Sequence, residues 1–241
     1  MTLDQLIQWD QHATLWLNNL GDTTWDPFWL MLSDTKFWYP AYVILAVFLF
    51  KELGWKKGLA VLLSCILMVV CVDQSCNAVK DSVERLRPCY YSWMIAHGIR
   101  LPYGITGHLF GFFSGHAANT FGLASASYLG FRLNNPGHKY RIYGICVFIW
   151  AALVASSRII MGAHFLGDIV VGACFGTAVG SLIACLTHYL IVKAKLYLSP
   201  SGCCGNLLPA PRSPAADSPA DRRPVHRTWQ KPVYRSRPPP G

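Results

Sequence analysis

The sequence predicts an all-α protein, a polytopic membrane helical bundle with about five transmembrane helices and an N-terminal amphipathic helix. Three observations predict it. Apolar residues make up 53% of the chain and charged residues only 14%, a balance foreign to a water-soluble domain. The apolar residues come in long uninterrupted blocks rather than in the alternating pattern of strands. Basic residues collect in alternate connections between those blocks, as membrane topology requires.

Residues 1–36 form the first segment. Leu3, Leu6, Ile7, Trp9, Leu15, Trp16 and Leu20 recur at helical spacing among Asp4, Gln8, Asp10, Gln11 and Asn18. Such a stretch predicts an amphipathic helix, either lying on the membrane surface or packed on the membrane domain. No basic n-region or continuous apolar h-region marks a secretory signal peptide in it.

A transmembrane domain is expected over 37–198, with spans at about 37–50, 58–79, 115–131, 142–156 and 165–192. The second and fifth reach the ~20 apolar residues a bilayer core requires, while the first and fourth need help from their flanks. Phe37, Trp38, Tyr39 and Trp55 are suited to anchor the first span at the two interfaces. Lys51, Lys56 and Lys57, then Arg132, Lys139 and Arg141, then Lys193, Lys195 and the basic tail all fall on one side of this arrangement. By the positive-inside rule that side is cytoplasmic. The net charge of +9 follows from this orientation and does not call for a nucleic-acid partner.

Residues 199–241 change character, holding ten of the fifteen prolines and no helical period. A disordered, basic cytoplasmic tail is expected there. The loop 89–112 is rich in aromatics and glycine, and serves either as a lid or lateral gate over a neighbouring site or as a cap on helix ends. His97 and His108 within it are expected to be surface residues. Most of the nine cysteines lie in apolar helices as small hydrophobes, and no CxxC pair or Cys/His cluster appears. A bridge between Cys76 and Cys89 is left open.

Three short segments carry the chemistry. In KDSVERLRP, Lys80 and Arg87 are seven residues apart, which on a continuous helix puts both cations on one face. Ser114-Gly115-His116 precedes an apolar helix, where a phosphate gains backbone N–H donors and the positive end of a helix dipole. In SRIIMGAHFLGD, His164 and Asp168 are four apart, so a carboxylate can sit against an imidazole. In a five-span topology all three segments meet at the outer face. Glu84 and Arg85, inside the first segment, read as a solvated helix-end pair. Gly162, Gly167, Gly172, Gly176 and Gly180 suit close helix packing.

These segments resemble the signature of the type 2 phosphatidic acid phosphatase superfamily, Lys-x6-Arg-Pro, (Pro)-Ser-Gly-His and Ser-Arg-x5-His-x3-Asp, over roughly residues 37–190. Phe113 stands where the pattern usually has proline. The resemblance implies a metal-independent membrane phosphatase acting through a phosphohistidine. His164 would be the nucleophile, Asp168 would fix its tautomer, and His116 would protonate the leaving alkoxide and later activate water. Lys80, Arg87, Ser114, Gly115 and Arg158 would hold the phosphoryl oxygens. No cofactor is implied, and near the outer face only Asp73, Asp81, Glu84 and Asp168 supply carboxylates, too scattered for a magnesium site.

The implied partners are a membrane lipid phosphate as substrate and the bilayer itself. Undecaprenyl pyrophosphate is the first choice, with phosphatidylglycerophosphate, phosphatidic acid and lipid A phosphates as alternatives. The expected location is a bacterial inner membrane with the site facing the periplasm. A lipid phosphotransferase and a catalytically silent scaffold are the competing readings, and oligomeric state is left open.

Overall fold

The computed structural model describes residues 2–104 and 108–198. The expected disordered tail, 199–241, lies outside the described residues. Among those described, the regular elements are helices: α1 (Leu3–Asn19), α2 (Asp26–Ser33), α3 (Tyr39–Val83), α4 (Ser92–Ala96), α5 (Gly115–Asn134), α6 (Arg141–Ile160) and α7 (Leu166–Leu198).

Thr2 starts α1 with a capping box, accepting from the Gln5 amide at 3.3 Å while the Gln5 side chain accepts from the Thr2 amide at 2.9 Å. The helix then sits with its polar stripe inward. Gln11, Thr14 and Asn18 are buried, whereas Leu3, Leu6, Trp9, Trp16 and Leu20 are exposed. Asn18 explains why. Its side-chain NH2 donates to the carbonyls of Arg100, Ile159 and Ile160 at 3.1, 3.0 and 2.9 Å, and its oxygen accepts from the Arg100 amide at 2.7 Å. One amide thus satisfies the end of α6 and the loop that follows α4.

The first two expected spans both fall on α3, which is two helices joined end to end across a kink. The kink lies at Gly54, the non-helical residue within these 45, whose φ of 73° lies in a region that favours glycine. The helix bends there into two arms, 39–53 and 55–83. Lys57 Nζ donates to the Asn134 carbonyl at 2.8 Å, fastening the bend to the turn between α5 and α6.

Among the described residues, three helical stretches are long and apolar enough to cross a bilayer: Thr35–Val83, Arg141–Ile160 and Leu166–Ala194. Helix α5 is not among them, although it was expected as a span. Its place in the bundle accounts for its composition. It packs against α3, α6 and α7, and buries Thr120, Ser125, Ser127 and Asn134 along with its alanines. A helix surrounded by protein has no lipid-facing stripe to keep apolar, and its hydroxyls donate back to its own carbonyls, Ser125 to Phe121 at 2.8 Å and Ser127 to Leu123 at 2.6 Å.

Small residues set the closest contact, between α5 and α7. A Cβ on Gly172 would stand 2.6 Å from the Ser114 carbonyl oxygen, one on Gly176 would overlap the Ala118 carbonyl, and one on Gly180 the Gly122 carbonyl. Ser114, Ala118 and Gly122 on α5 therefore face Gly172, Gly176 and Gly180 on α7 at matched four-residue spacing, backbone against backbone. Where lipid supplies no hydrophobic drive between helices, such close packing is what holds them.

Candidate active site

The site forms where the first-turn end of α5, the first turn of α7, the last turns of α3 and α6, and the end of α2 converge. Lys80 lies in the last turn of α3 as expected, but Arg87 does not share its helix. The chain leaves α3 after Val83 through Glu84, in left-handed conformation at φ 50°, and Arg87 is extended at φ −71°, ψ 156°. The physical reason is Pro88, which disfavours helix at the preceding residue. The strand-like stretch pairs instead with the end of the 89–112 loop. The Arg87 amide donates to the Leu109 carbonyl at 3.1 Å and the Gly111 amide to the Arg85 carbonyl at 2.9 Å, with Leu86 opposite Phe110. Arg87 is buried, and its Nε donates to the Phe110 carbonyl at 3.3 Å. Burial lowers its pKa from the ordinary arginine value, yet a guanidinium remains charged.

His164 lies in the turn between α6 and α7, just ahead of the span expected from 165. Gly162, at φ 68°, turns the chain after α6, and α7 begins only at Leu166. The contact with Asp168 survives in another form. Asp168 accepts from the Phe165 amide at 3.0 Å, capping α7 with its own side chain, and the same oxygen lies 3.6 Å from His164 Nδ1. His164 is 2% exposed and Asp168 fully buried, and His164 Nδ1 has no hydrogen-bond partner. Burial, then the positive charges of Arg158, Arg87 and Lys80, push the imidazole well below the usual histidine pKa. All three expected phosphate-binding cations are therefore near enough to act on this ring.

Ser114 caps α5, its Oγ accepting from the Ala117 amide at 3.4 Å, while its own amide donates to the Asp168 carbonyl at 3.0 Å. That pair ties the starts of α5 and α7 together. Gly115 sits beside Lys80: a Cβ built on it would lie 4.0 Å from Lys80 Nζ. One residue on, His116 Nε2 is 3.2 Å from the Ser33 carbonyl, so that nitrogen carries the proton. Ser33 Oγ also accepts from Arg158, whose buried Nε has no partner. All eight expected site residues, Lys80, Arg87, Ser114, Gly115, His116, Arg158, His164 and Asp168, thus gather at one end of the bundle.

Several functional neighbours escape sequence reasoning. Arg85 is not a solvated partner of Glu84. Its guanidinium donates to Asp168 at 2.7 Å and to Asp10 at 2.6 Å, and lies 4.2 Å from the Phe165 ring centroid. Asp10 in turn accepts from the Gly167 amide at 2.7 Å, and Thr14 Oγ1 from the Leu166 amide at 2.9 Å. Polar residues of α1 thus cap the first turn of α7. Gly111 is needed for space, since a Cβ there would be 2.8 Å from Arg87 Cγ and 3.5 Å from His164 Nδ1. Ser33 carried no signal at all. Asp10 carried one, an acidic residue amid an apolar surface helix.

The 89–112 loop is pinned down rather than free-standing in its described part. Met94 is fully buried, packed with Ile99 and Phe165, and Arg100 pairs with Asp26 at 2.9 Å. His97 and His108 are exposed and stand outside the site. Cys76 and Cys89 are free thiols, with no bridge between them. Among the described residues no group of three His, Cys, Asp or Glu side chains is placed to hold a metal ion.

An imidazole enclosed by three cations at the end of an apolar helical bundle belongs to membrane enzymes that work on phosphate esters. The comparisons with known proteins agree: the model of the PAP2 superfamily matches residues 57–191, and the chain belongs to that superfamily. It is 32% identical over 187 residues to a lipid A 4'-phosphatase of Bacteroides thetaiotaomicron, covering 77% of this chain and 80% of the relative. A lipid A 4'-phosphatase of Porphyromonas gingivalis is 29% identical over 182 residues, covering 75% of this chain and 74% of the relative. The crystal structure of a transmembrane PAP2-type phosphatidylglycerolphosphate phosphatase from Bacillus subtilis shares the fold, with a TM-score of 0.56 over 78% of this chain and 87% of that one at 19% identity. The chain is a multi-pass membrane phosphatase of this lipid phosphatase family.

Proposed function

We propose that the chain hydrolyses a lipid-linked phosphomonoester through a phosphohistidine on His164. The observation that carries this is the buried His164 ring, with Asp168 behind Nδ1 and Lys80, Arg87 and Arg158 around it. Nε2 is then the attacking atom. It displaces the alkoxide as the P–O bond breaks, and Asp168 stabilises the positive charge that forms on the ring. His116 turns its Nε2–H from the Ser33 carbonyl to the leaving oxygen and donates that proton, and the bared nitrogen takes one from the water that later opens the P–N bond. Ser114, its Oγ already accepting from Ala117, keeps its own O–H to donate to a phosphoryl oxygen, beside the Gly115 amide.

The lipid is argued from the relatives. Undecaprenyl pyrophosphate, the sequence's first choice, has no specific support among them, whereas two lipid A 4'-phosphatases support a phosphate carried on a lipid-linked sugar. Five membrane crossings complete the proposal: the two arms of α3, then α5, α6 and α7, with α1 lying at the interface on its exposed leucines and tryptophans. The site would face the periplasm of an inner membrane. Supporting this, Lys57 and the α5–α6 turn are joined at the far end of α6, whose 20 residues span about 30 Å from there to Arg158. Residues 37–198 would then be the phosphatase domain, preceded by the interfacial segment 1–36 and followed by the cytoplasmic tail 199–241.

Purified protein in detergent with EDTA present should release phosphate from a lipid A phosphate, and His164→Ala should abolish release. Acid-labile, base-stable phosphate trapped on the protein after a rapid quench should also vanish in that variant. Release that persists in His164→Ala would sink the nucleophile assignment, and transfer to an added alcohol at the expense of water would show a phosphotransferase.

A further inference from the structure

A cavity of about 540 Å³ opens beside His116, bounded by both arms of α3 and by α5 and α6. Its walls change character by helical turns. At the top stand Lys80 and His116. One turn down are Asn77 on α3 and Asn119 on α5, and a further turn along α3 is Asp73. Below these the lining is apolar, from Val69 and Leu123 onward.

Asp73 is the one Asp, Glu, Lys or Arg in the apolar stretch 58–79. Asp73 and Asn77 are exposed, and a carboxylate within a membrane-spanning apolar stretch is costly unless it is used. Its Oδ1 accepts from Asn119 Nδ2 at 2.7 Å, and Asn119 Oδ1 is buried without a partner. The level just beneath the phosphate-binding cations is therefore rich in acceptors: a carboxylate and an unsatisfied amide oxygen, with the Asn77 amide beside them. Hydroxyl and amide N–H donors satisfy such a surface. A second phosphate would meet the charge of Asp73, and the ester carbonyls of a diacylglycerol bring no donors.

We propose that Asp73, Asn77 and Asn119 form the leaving-group subsite, and that it takes an uncharged N-acylated hexosamine whose acyl chain continues into the apolar part of the cavity. The order of the walls, cationic, then acceptor-rich, then apolar, matches the order phosphate, sugar, acyl chain. This rests on the reading of the site as one for a lipid-linked sugar phosphate, and assigns the residues that select the sugar.

The test compares two phosphomonoesters, a lipid A phosphate and phosphatidic acid, on purified full-length wild type, Asp73→Asn and Asn119→Ala. Asp73→Asn can still accept from Asn119, so the helix contact is kept while the charge is lost. The ratio of kcat/KM for the sugar phosphate to that for phosphatidic acid should fall by about tenfold, mainly through KM. Equal losses on both substrates would make the pair a mere helix clamp and overturn the proposal, as would no loss on either or a wild-type preference for phosphatidic acid.

If wild type releases phosphate from neither, the phosphatase reading fails, and thermal shift with the dephosphorylated glycolipid decides the subsite. Stabilisation of wild type that Asp73→Asn loses, with none from diacylglycerol, supports it. Equal stabilisation of both proteins, or of neither, overturns it.

Discussion

Arg85 holds Asp168. Its guanidinium donates to that carboxylate across 2.7 Å, with its other terminal nitrogen 2.6 Å from Asp10, so a residue of α1 and the residue behind His164 share one cation. Asp168 is fully buried, and the Phe165 amide is its other hydrogen-bond donor. In the proposed mechanism, where Asp168 orients His164, the ring would thus depend on a group that does not touch substrate.

Arg85→Ala should lower kcat by about 10- to 100-fold with little change in KM, as expected when a group that orients a catalytic side chain is lost. Arg85→Lys should recover only part of this, since an ammonium cannot fork between two carboxylates. Steady-state kinetics on one lipid phosphate decides. A rise in KM with unchanged kcat would place Arg85 in substrate binding instead.

Gly111→Ala should cost about 100-fold in kcat/KM, because the added methyl lies 2.8 Å from Arg87 Cγ and displaces a cation and an imidazole by a fraction of an ångström to an ångström. Thermal unfolding should be close to wild type, as the residue sits in a loop. Wild-type kinetics in this variant would show that Arg87 is not held in place by that contact.

Gly176→Ala acts on folding rather than chemistry. Its methyl meets the Ala118 backbone, which cannot rotate away, so α5 and α7 must separate. Overpacking of this kind costs typically 1–3 kcal/mol. A detergent-solubilised variant should unfold several degrees below wild type, whereas Gly137→Ala, with nothing within 4 Å, should not.

His164 makes stability depend on pH. Its pKa is lowered in the folded state, chiefly by burial and then by Arg158, Arg87 and Lys80. Between that depressed value and the ordinary histidine value near 6.5, the unfolded chain binds the proton and the folded one does not, so stability falls as pH drops below about 6.5. Melting temperatures at pH 5 and pH 8 should therefore differ, and His164→Asn should narrow the gap. An unchanged gap would assign the acid sensitivity to other groups.

The residues now seen around the phosphate site were legible because their spacing survives changes in local structure. His164 and Asp168 meet although one lies in a turn and the other caps a helix, and Lys80 and Arg87 converge although Pro88 forbids the shared helix that their spacing suggested. Arg85 was misread because its partner Asp10 is 75 residues away, and a salt bridge at that range leaves no periodic trace. At Gly54 the sequence shows a glycine among lysines between two apolar runs, which looks like a loop between two spans; the structure keeps two helices there and joins them directly across a kink. The hydropathy pattern marked 58–79 and 165–192 best and left 37–50 and 142–156 short, yet it is α5, taken as a span without reservation, that falls outside the stretches apolar enough to cross a bilayer, because a helix wrapped by its neighbours answers to packing rather than to lipid.

The backbone-to-backbone contact of α5 with α7 has an evolutionary reach. Ser114 and His116 begin one of these helices and Asp168 the other, and glycine leaves no adjustable side chain between them. The groups proposed to react are therefore built on a contact that leaves no room for a side chain at Gly172, Gly176 or Gly180. On the reading proposed above, a new lipid specificity would be reached by exchanging Asp73 and Asn77 on the α3 wall of the cavity, which leaves the contact of α5 with α7 untouched.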